Sequence, residues 1–278
     1  MRIQTVLALT DLGKDSLAGL RTAYSIAADR GCKLVVGHVL VPRTLESSDV
    51  KEFLEASGLD PNRATIDIEV DSDVHSGIDL VIEESSPDLI VLSSQRKHGF
   101  ARLLWASVPV GLVGDAKAPV LALHAGKPQV KFSRALVCVD GSPQAQTLLD
   151  CAAEFVEEGG DLVATLVIED SPLVVGGINI GTYNQEVLEQ ADREACKYLA
   201  DLRAARPELA LDIDCRTGNA VEEILAARVE HDADLVVIGS GGVGGRAQFF
   251  LGKVAEGVVR DAKVAALVVP TEIPAADA

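Results

Sequence analysis

The fold is decided by the segment Leu136-Val-Cys-Val-Asp140-Gly-Ser-Pro143, which has a counterpart earlier in the chain, Val6-Leu-Ala-Leu-Thr-Asp11-Leu-Gly13. The aspartates of the two segments are 129 residues apart. Each segment is an apolar run that ends in aspartate. A turn and then apolar residues at helical spacing follow in both places. The pattern predicts a strand that leads into a helix, twice in the chain.

The same order of strands continues in both halves. Second strands are predicted at 34–40 and 162–168, third at 66–70 and 211–215, fourth at 88–93 and 234–239, and closing strands at 120–123 and 265–269. Strands that alternate with helices indicate parallel sheets with right-handed crossovers. We therefore predict an α/β fold of two tandem flavodoxin/Rossmann-like domains, residues 1–126 and 133–272. Each domain is expected to contain a five-stranded parallel sheet with helices on both faces, and the two are expected to pack about a pseudo-twofold axis along their closing strands.

The composition favours this fold class. Hydrophobic residues make up 48% of the 278 residues and aromatic residues only 4%, which is typical of parallel sheets covered by helices. Apolar runs are of strand length, and the first residues enter a strand without a signal-peptide cleavage pattern, so we expect no membrane insertion and a cytoplasmic location. The five cysteines include no CxxC pair and are interpreted as small buried hydrophobic residues, and the five histidines are interpreted as isolated.

The chain is strongly acidic, with a net charge of −17. Residues 1–130 hold 13 Lys and Arg against 17 Asp and Glu, and residues 131–278 hold 12 against 25. Such a surface repels nucleic acid and anionic lipid, so neither is an expected partner. A phosphate-bearing ligand would require a local site of backbone amides or positive side chains.

The most specific motif is a glycine-rich loop in the second half, Gly239-Ser-Gly-Gly242-Val-Gly-Gly-Arg246-Ala-Gln-Phe-Phe-Leu-Gly252-Lys253. It lies between a predicted strand and a predicted helix. Glycines bring backbone amides close to a ligand, and the start of the helix adds a partial positive charge. The loop therefore predicts a phosphate site.

The second half also contains about 17 residues more than the first between its second and third strands. The alignment places them around Ser171–Asn184, which includes several glycines. This segment is interpreted either as a lid over a ligand or as a surface insertion.

The motifs together resemble the universal stress protein family. The spacing G-x2-G-x9-G at Gly239, Gly242 and Gly252 matches the ATP loop of that family, and the repeat and the Asp140-Gly-Ser turn also match it. The resemblance implies that Asp140 and the backbone near Val167 hold the adenine and ribose end of ATP or AMP. It implies that the glycine loop holds ribose and phosphates, with or without Mg²⁺.

This chain departs from the family at two places. Lys253 stands where the family places Ser or Thr after the last glycine, and with Arg246 it supplies positive charge to the loop. In the first half, Ser93, Arg96 and Ala106 stand where the three glycines should be, so we predict no ATP there. Asp11 is expected to cap a helix or turn.

The resemblance implies a cytoplasmic, bacterial stress-response protein whose nucleotide occupancy controls an unidentified protein partner. Nothing in the sequence supplies a positioned base, so we predict no enzyme activity beyond slow ATP hydrolysis. The chain is expected to be either a monomer with internal pseudo-twofold symmetry or a homodimer. The alternative is an interaction protein that has lost ATP binding in both halves.

Two other classes are less consistent with the motifs. Gly239-x-Gly241-x-x-Gly244 fits a dinucleotide fingerprint, but that fingerprint belongs after the first strand of its unit and needs an acidic residue at the end of the next strand. Adenylating and ATP-pyrophosphatase enzymes use an S-G-G-x-D-S loop, and this chain has Asp140-Gly-Ser-Pro at that place.

Overall fold

The computed structural model describes residues 2–40, 47–70, 74–94, 118–124, 128–169, 174–175, 178–179, 185–241 and 252–270. The described residues form two compact units. The first unit contains those of residues 1–130 together with 265–270. The second contains those of residues 131–241 together with 252–264.

The first unit is a parallel sheet with helices packed on it. Its elements in chain order are β1 (Thr5–Leu9), α1 (Leu17–Arg30), β2 (Lys33–Leu40), α2 (Ser47–Ala56), β3 (Thr65–Val70), α3 (Val74–Ser85), β4 (Leu89–Ser94), β5 (Val120–His124) and, from the other end of the chain, β12 (Ala265–Val269). Five strands are parallel, in the order β3-β2-β1-β4-β5. β12 continues this sheet antiparallel to β5, with Ala266 opposite Ala122 and Val268 opposite Val120. The two predicted closing strands therefore meet in this unit.

The second unit repeats the arrangement. Its elements are β6 (Phe132–Cys138), α4 (Ala145–Phe155), β7 (Val156–Ile168), the short strands β8 (Val174–Val175) and β9 (Ile178–Asn179), α5 (Gln185–Ala204), β10 (Leu211–Thr217), α6 (Ala220–Glu230), β11 (Leu235–Gly239) and α7 (Lys253–Asp261). The order β10-β7-β6-β11 is the order of the first four strands of the first repeat, and all pairs are parallel. Right-handed crossovers put α4 and α5 on one face and α6 and α7 on the other.

Burial follows the sequence pattern closely. Residues 6–8 of β1 and 135–137 of β6 are fully buried, as expected for strands covered on both faces. α1 ends where Gly31 takes a left-handed φ of +63°, a conformation that glycine adopts without steric cost. The predicted α/β fold with mostly parallel sheets is confirmed.

The extra length of the second half is divided between two places. Of the Ser171–Asn184 segment, the structure describes the antiparallel pair β8 and β9. However, α5 has 20 residues where α2 has 10. About ten of the extra residues therefore lengthen a helix, and the prediction that all of them lie in the loop was wrong.

The strand β7 is also longer than predicted. It begins at Val156 instead of Leu162, and its register with β6 shifts between Phe132 and Arg134. The irregular part contains Gly159, with a φ of +81°, and two glutamates, which interrupt the apolar pattern. None of the helices in the described ranges combines the length and apolar character of a membrane span.

Candidate functional site

The carboxyl ends of three neighbouring strands meet in the second unit. β6 lies between β7 and β11, with Cys138 beside Thr165 on one side and Ile238 on the other. Asp140 and Val167 each lie two residues beyond one of these paired positions. The chain leaves β6 toward β7 and returns to β11 on the opposite side, so this is the topological switch point of the sheet, where open α/β sheets bind ligands.

Asp140 shapes the turn that follows β6. Its Oδ1 accepts a hydrogen bond from the backbone N–H of Ser142 at 3.0 Å. Gly141 between them has a φ of +81°, which requires glycine or a similarly permissive residue. Asp140 is exposed, so its other carboxylate oxygen is available at the switch point.

The two described ends of the glycine-rich loop lie together. The N–H of Gly252 donates to the backbone oxygen of Ser240 at 2.8 Å, which joins the end of β11 to the start of α7. Gly241 is the last described residue before the loop interior, and Gly242 and Arg246 lie outside the described residues. Lys253, the first residue of α7, is exposed.

No described side chain caps the start of the helix that follows the loop. Gly252 is its N-cap residue and has no side chain, whereas Asn219 at the start of α6 accepts from the N–H groups of Val221 and Glu222. The first amides of any α-helix have no acceptor within the helix. The start of α7 is therefore suited to an anion, and the start of α6 is not.

Gly239 lies beside the flexible end of the Gln144 side chain. A Cβ at this position would lie 2.8 Å from Oε1 of Gln144, at the start of α4. The side chain of Gln144 thus occupies the place next to the strand end. A side chain at residue 239 would require the terminal amide of Gln144 to move, which that flexible side chain allows.

Two further residues lie at this edge, and the sequence gives no sign of either. Tyr198 of α5 donates from its hydroxyl to the backbone oxygen of Ser142 at 3.3 Å. Burial, and then the charge of Asp140, raises the pKa of Tyr198. Thr165 is buried, and its Oγ1 has no hydrogen-bond partner among the described residues. Both depend on contacts between distant elements, which no local sequence pattern signals.

The first unit fills the equivalent positions with its own side chains. Ser93 replaces Gly239, and its buried Oγ accepts from the N–H of Gly19 at 2.8 Å and donates to the oxygen of Asp15 at 2.7 Å. His38 of β2, which the strand registers place at the position of Leu166, is buried and has Nδ1 2.7 Å from the oxygen of Thr10. His38 is thus held inside the first unit, near the end of β2.

Asp11 in the first unit has the turn role expected for it. Its Oδ1 accepts from the N–H of Gly13 at 2.9 Å, as Oδ1 of Asp140 does with Ser142. The aspartate alone therefore does not distinguish a ligand site from a structural turn. The two halves differ at the end of the fourth strand, where the first half has Ser93 and the second has Gly239.

His231 is not isolated as the sequence suggested. Its Nε2 lies 2.8 Å from Oδ2 of Asp214, and Arg216 contacts the same carboxylate oxygen through Nε at 2.7 Å. Arg216 also contacts Glu223 at 3.4 Å and Glu230. This cluster joins β10 to α6, on the face of the sheet opposite α5.

The family of this chain follows from a comparison with known proteins. A sequence profile of the universal stress protein family matches residues 2–124 and again residues 131–270. The chain belongs to the universal stress protein family. The two matched segments together include nearly the whole chain, so the protein contains two tandem universal stress protein domains.

Individual relatives agree with this assignment. A universal stress protein of Mycobacterium tuberculosis is 28% identical over 188 residues, which include 65% of this chain and 61% of that protein. One of Mycolicibacterium smegmatis is 28% identical over 194 residues, which include 68% and 64% of the two chains. The chain thus spans less than two thirds of the length of these curated relatives.

Solved structures show the same fold. A universal stress protein from Archaeoglobus fulgidus has a TM-score of 0.61 at 21% identity, with 96% of each chain covered. A protein of unknown function from Pseudomonas aeruginosa has a TM-score of 0.65 at 17% identity, with 96% of this chain and 92% of that chain covered. At these identities the likeness concerns the tandem universal stress protein fold alone.

Proposed function

We propose that the second universal stress protein domain binds one adenine nucleotide, ATP or AMP, with or without Mg²⁺, and that its occupancy controls binding of a protein partner in a stress response. The observation that carries the proposal is the start of α7. Its uncapped amides lie beside the strand end of β11, joined through Gly252 and Ser240 at 2.8 Å. An anion there gains both the amides and the partial charge of the helix.

The adenine and ribose end of the nucleotide is assigned to the neighbouring strand ends. Asp140 and the backbone at Val167 are proposed to contact it, because the strand register puts them on adjacent strands at the switch point. The buried hydroxyl of Thr165 lies on the same face of β7 as Val167, two residues before it. A hydroxyl without a partner is costly to bury, so contact with the nucleotide or with water would offset that cost.

The phosphates are assigned to the loop, with Gly239, Gly242, Arg246, Gly252 and Lys253 as the proposed contacts. The charge of Lys253 would partly offset the acidic surface of this half. The carboxylate of Asp140 is assigned to the adenine and ribose end of the nucleotide rather than to the phosphates, so it is not proposed as a base for hydrolysis. We therefore propose regulation by binding, with slow hydrolysis at most.

The test is calorimetric titration of the full chain with ATP and AMP, each with and without Mg²⁺, and with NADH. We expect saturation near one mononucleotide per chain. Saturation by NADH alone would instead favour the dinucleotide class.

The decisive variant is Gly252→Asp. Gly252 has an ordinary φ of −57°, and an added Cβ would have Ser240 O as its nearest neighbour at 3.6 Å, so the substitution fits the fold. Aspartate is also a favourable N-cap, worth about a few tenths of a kcal/mol over glycine. Its carboxylate would occupy the anion position, so affinity for ATP should fall by roughly a hundredfold or more while the melting temperature is kept.

A matched control is Asn219→Asp. It adds the same charge to the start of α6, another helix of the same unit, where a side-chain cap already exists. We expect ATP affinity to stay within about twofold of the original chain. Equal losses in both variants would mean that net charge, rather than a site at α7, governs binding.

The second candidate is an interaction protein without a nucleotide. Two observations favour this candidate. Lys253 stands where the family has Ser or Thr, and in the first unit side chains of the protein occupy the positions equivalent to the proposed site. An original chain that gives no heat with ATP or AMP at high concentration would select this candidate, and partner capture would then replace ligand titration as the next experiment.

A further inference from the structure

We propose that Asp192, Cys196 and Cys215 form a binding site for one thiophilic divalent cation of the Zn²⁺ class, on the α5 face of the second unit. One ligand atom from each residue, the two Sγ atoms and a carboxylate oxygen, lies within 4.8 Å of the others. This site lies outside the proposed nucleotide site and does not depend on it.

The local structure explains how the three donors come together. Asp192 and Cys196 are four residues apart on α5, so they lie one turn apart on the same helix face. Cys215 is on the strand β10, and side chains of a strand alternate between its two faces. Its neighbour Arg216 contacts Glu223 of α6, and its neighbour Asp214 contacts His231, which directly follows α6, so Cys215 faces α5. Its Sγ lies 3.7 Å from Oδ1 of Asp192.

The spacing suits a tetrahedral ion. With Zn–S bonds of about 2.3 Å and Zn–O bonds of about 2.1 Å, ligand atoms are separated by roughly 3.5–3.8 Å. The Sγ–Oδ1 distance of 3.7 Å is within that range. Small rotations of exposed side chains on α5 would bring the remaining atoms into place.

The donor types select the metal. Mg²⁺ and Ca²⁺ prefer shells made only of oxygen, and two sulfur ligands disfavour both. Two thiolates with one carboxylate suit Zn²⁺, Co²⁺ and Cd²⁺. Another acidic group in the described residues, Asp67 with Glu69 and Glu84, has no sulfur and would give a different spectroscopic signature.

The site is accessible from solvent. Asp192 also lines a surface pocket of about 350 Å³ with Leu188, Glu189, Arg193 and Thr217. A cation held by three protein ligands keeps one coordination position open, and water or a small ligand can reach it from this pocket. Binding replaces the thiol protons, which are released to solvent.

The experiment uses the reduced full chain without an affinity tag, in a phosphine reductant that does not compete for metal. Co²⁺ is added stepwise, and the thiolate-to-cobalt charge-transfer band and the released protons are recorded. We expect one equivalent of Co²⁺ to saturate the band and one equivalent of Zn²⁺ to displace it.

Variants test whether Co²⁺ binds at the proposed site or nonspecifically to other cysteines of the chain. The double variant Cys196→Ser with Cys215→Ser should lose the band. Asp192→Asn should weaken Co²⁺ binding by about a hundredfold, since even residues behind the direct ligands are worth ten- to a hundredfold. The control Cys32→Ser, a half-buried thiol of the first unit, should leave the titration unchanged.

Two results would overturn the proposal. One is the absence of a thiolate band in the reduced chain. The other is a band that persists in the Cys196 and Cys215 double variant, or that Cys32→Ser removes.

Discussion

A single residue at the end of the fourth strand separates the two domains most clearly. In the first domain, Ser93 sits against the start of α1 and binds Gly19 and Asp15 through its hydroxyl. In the second domain the equivalent residue is Gly239, which is packed against Gln144. The serine hydroxyl thus joins the end of β4 to the start of α1 within the first domain.

The stability of the first domain should therefore depend on this hydroxyl. Ser93→Ala leaves the buried N–H of Gly19 without the acceptor it has now, so the free energy of unfolding should fall by about 1–3 kcal/mol. Urea denaturation provides the measurement, with Ser133→Ala, an exposed serine of β6, as the control. Equal stability of the two variants would contradict a structural role for Ser93.

The charged cluster around Arg216 predicts a pH dependence. The hydrogen bond from Arg216 holds the pKa of Glu230 below its usual value of 4.5. A carboxylate with a lowered pKa in the folded state stabilises the fold above its unfolded pKa, and this contribution is lost as the pH falls through the lowered value.

Glu230→Gln should then lower the melting temperature by roughly 1–3 °C at pH 7, since surface ion pairs contribute little. The difference should shrink as the pH falls through the lowered pKa of Glu230, because the original residue is then protonated as well. Thermal scans across this range measure it, with Glu158→Gln, an exposed carboxylate of β7, as the comparison. A difference that stays constant with pH would exclude the ion pair as its cause.

At the scale of elements, the sequence predicted nearly every strand because buried parallel strands are continuous apolar runs. It missed the first part of β7, where Glu157 and Glu158 precede two glycines and the strand bulges. It also misplaced part of the extra length, because a charged, exposed helix such as α5 resembles a loop in composition.

The residues of the candidate site also divide into those that the sequence indicates and those that it does not. Asp140, Val167 and Gly239 could be predicted because they follow or end apolar runs, and parallel strands bring such ends together. Tyr198 and Thr165 could not, since their contacts depend on how α5 and β7 meet the turn. The thiols of Cys196 and Cys215 were interpreted as buried apolar groups, yet Cys196 is exposed and Cys215 half-buried, and their closeness depends on the helix-to-strand register.

On the scale of the whole chain, the strand β12 matters most. Although it is the last strand of the second repeat in sequence, it belongs to the first unit and pairs with β5. Val120, Leu121 and Ala122 at this edge are almost fully buried. Without β12, the edge of β5 would present unpaired backbone groups and apolar side chains.

A chain that ends at Val264 should therefore self-associate. We expect light scattering to show aggregates at micromolar concentrations where the full chain stays dispersed. A shortened chain that remains monomeric and folded would show that β5 does not need the pairing.

The position of β12 also determines when the sheet of the first domain can be completed during translation. The ribosome makes β5 first and the strand that covers it about 140 residues later, an interval of roughly 7–28 s at ordinary rates of translation. Throughout that interval the nascent first domain lacks its outermost strand. A chaperone that shields hydrophobic edges on emerging chains would find its target here, and synonymous codons that slow translation of the second half would lengthen the exposure.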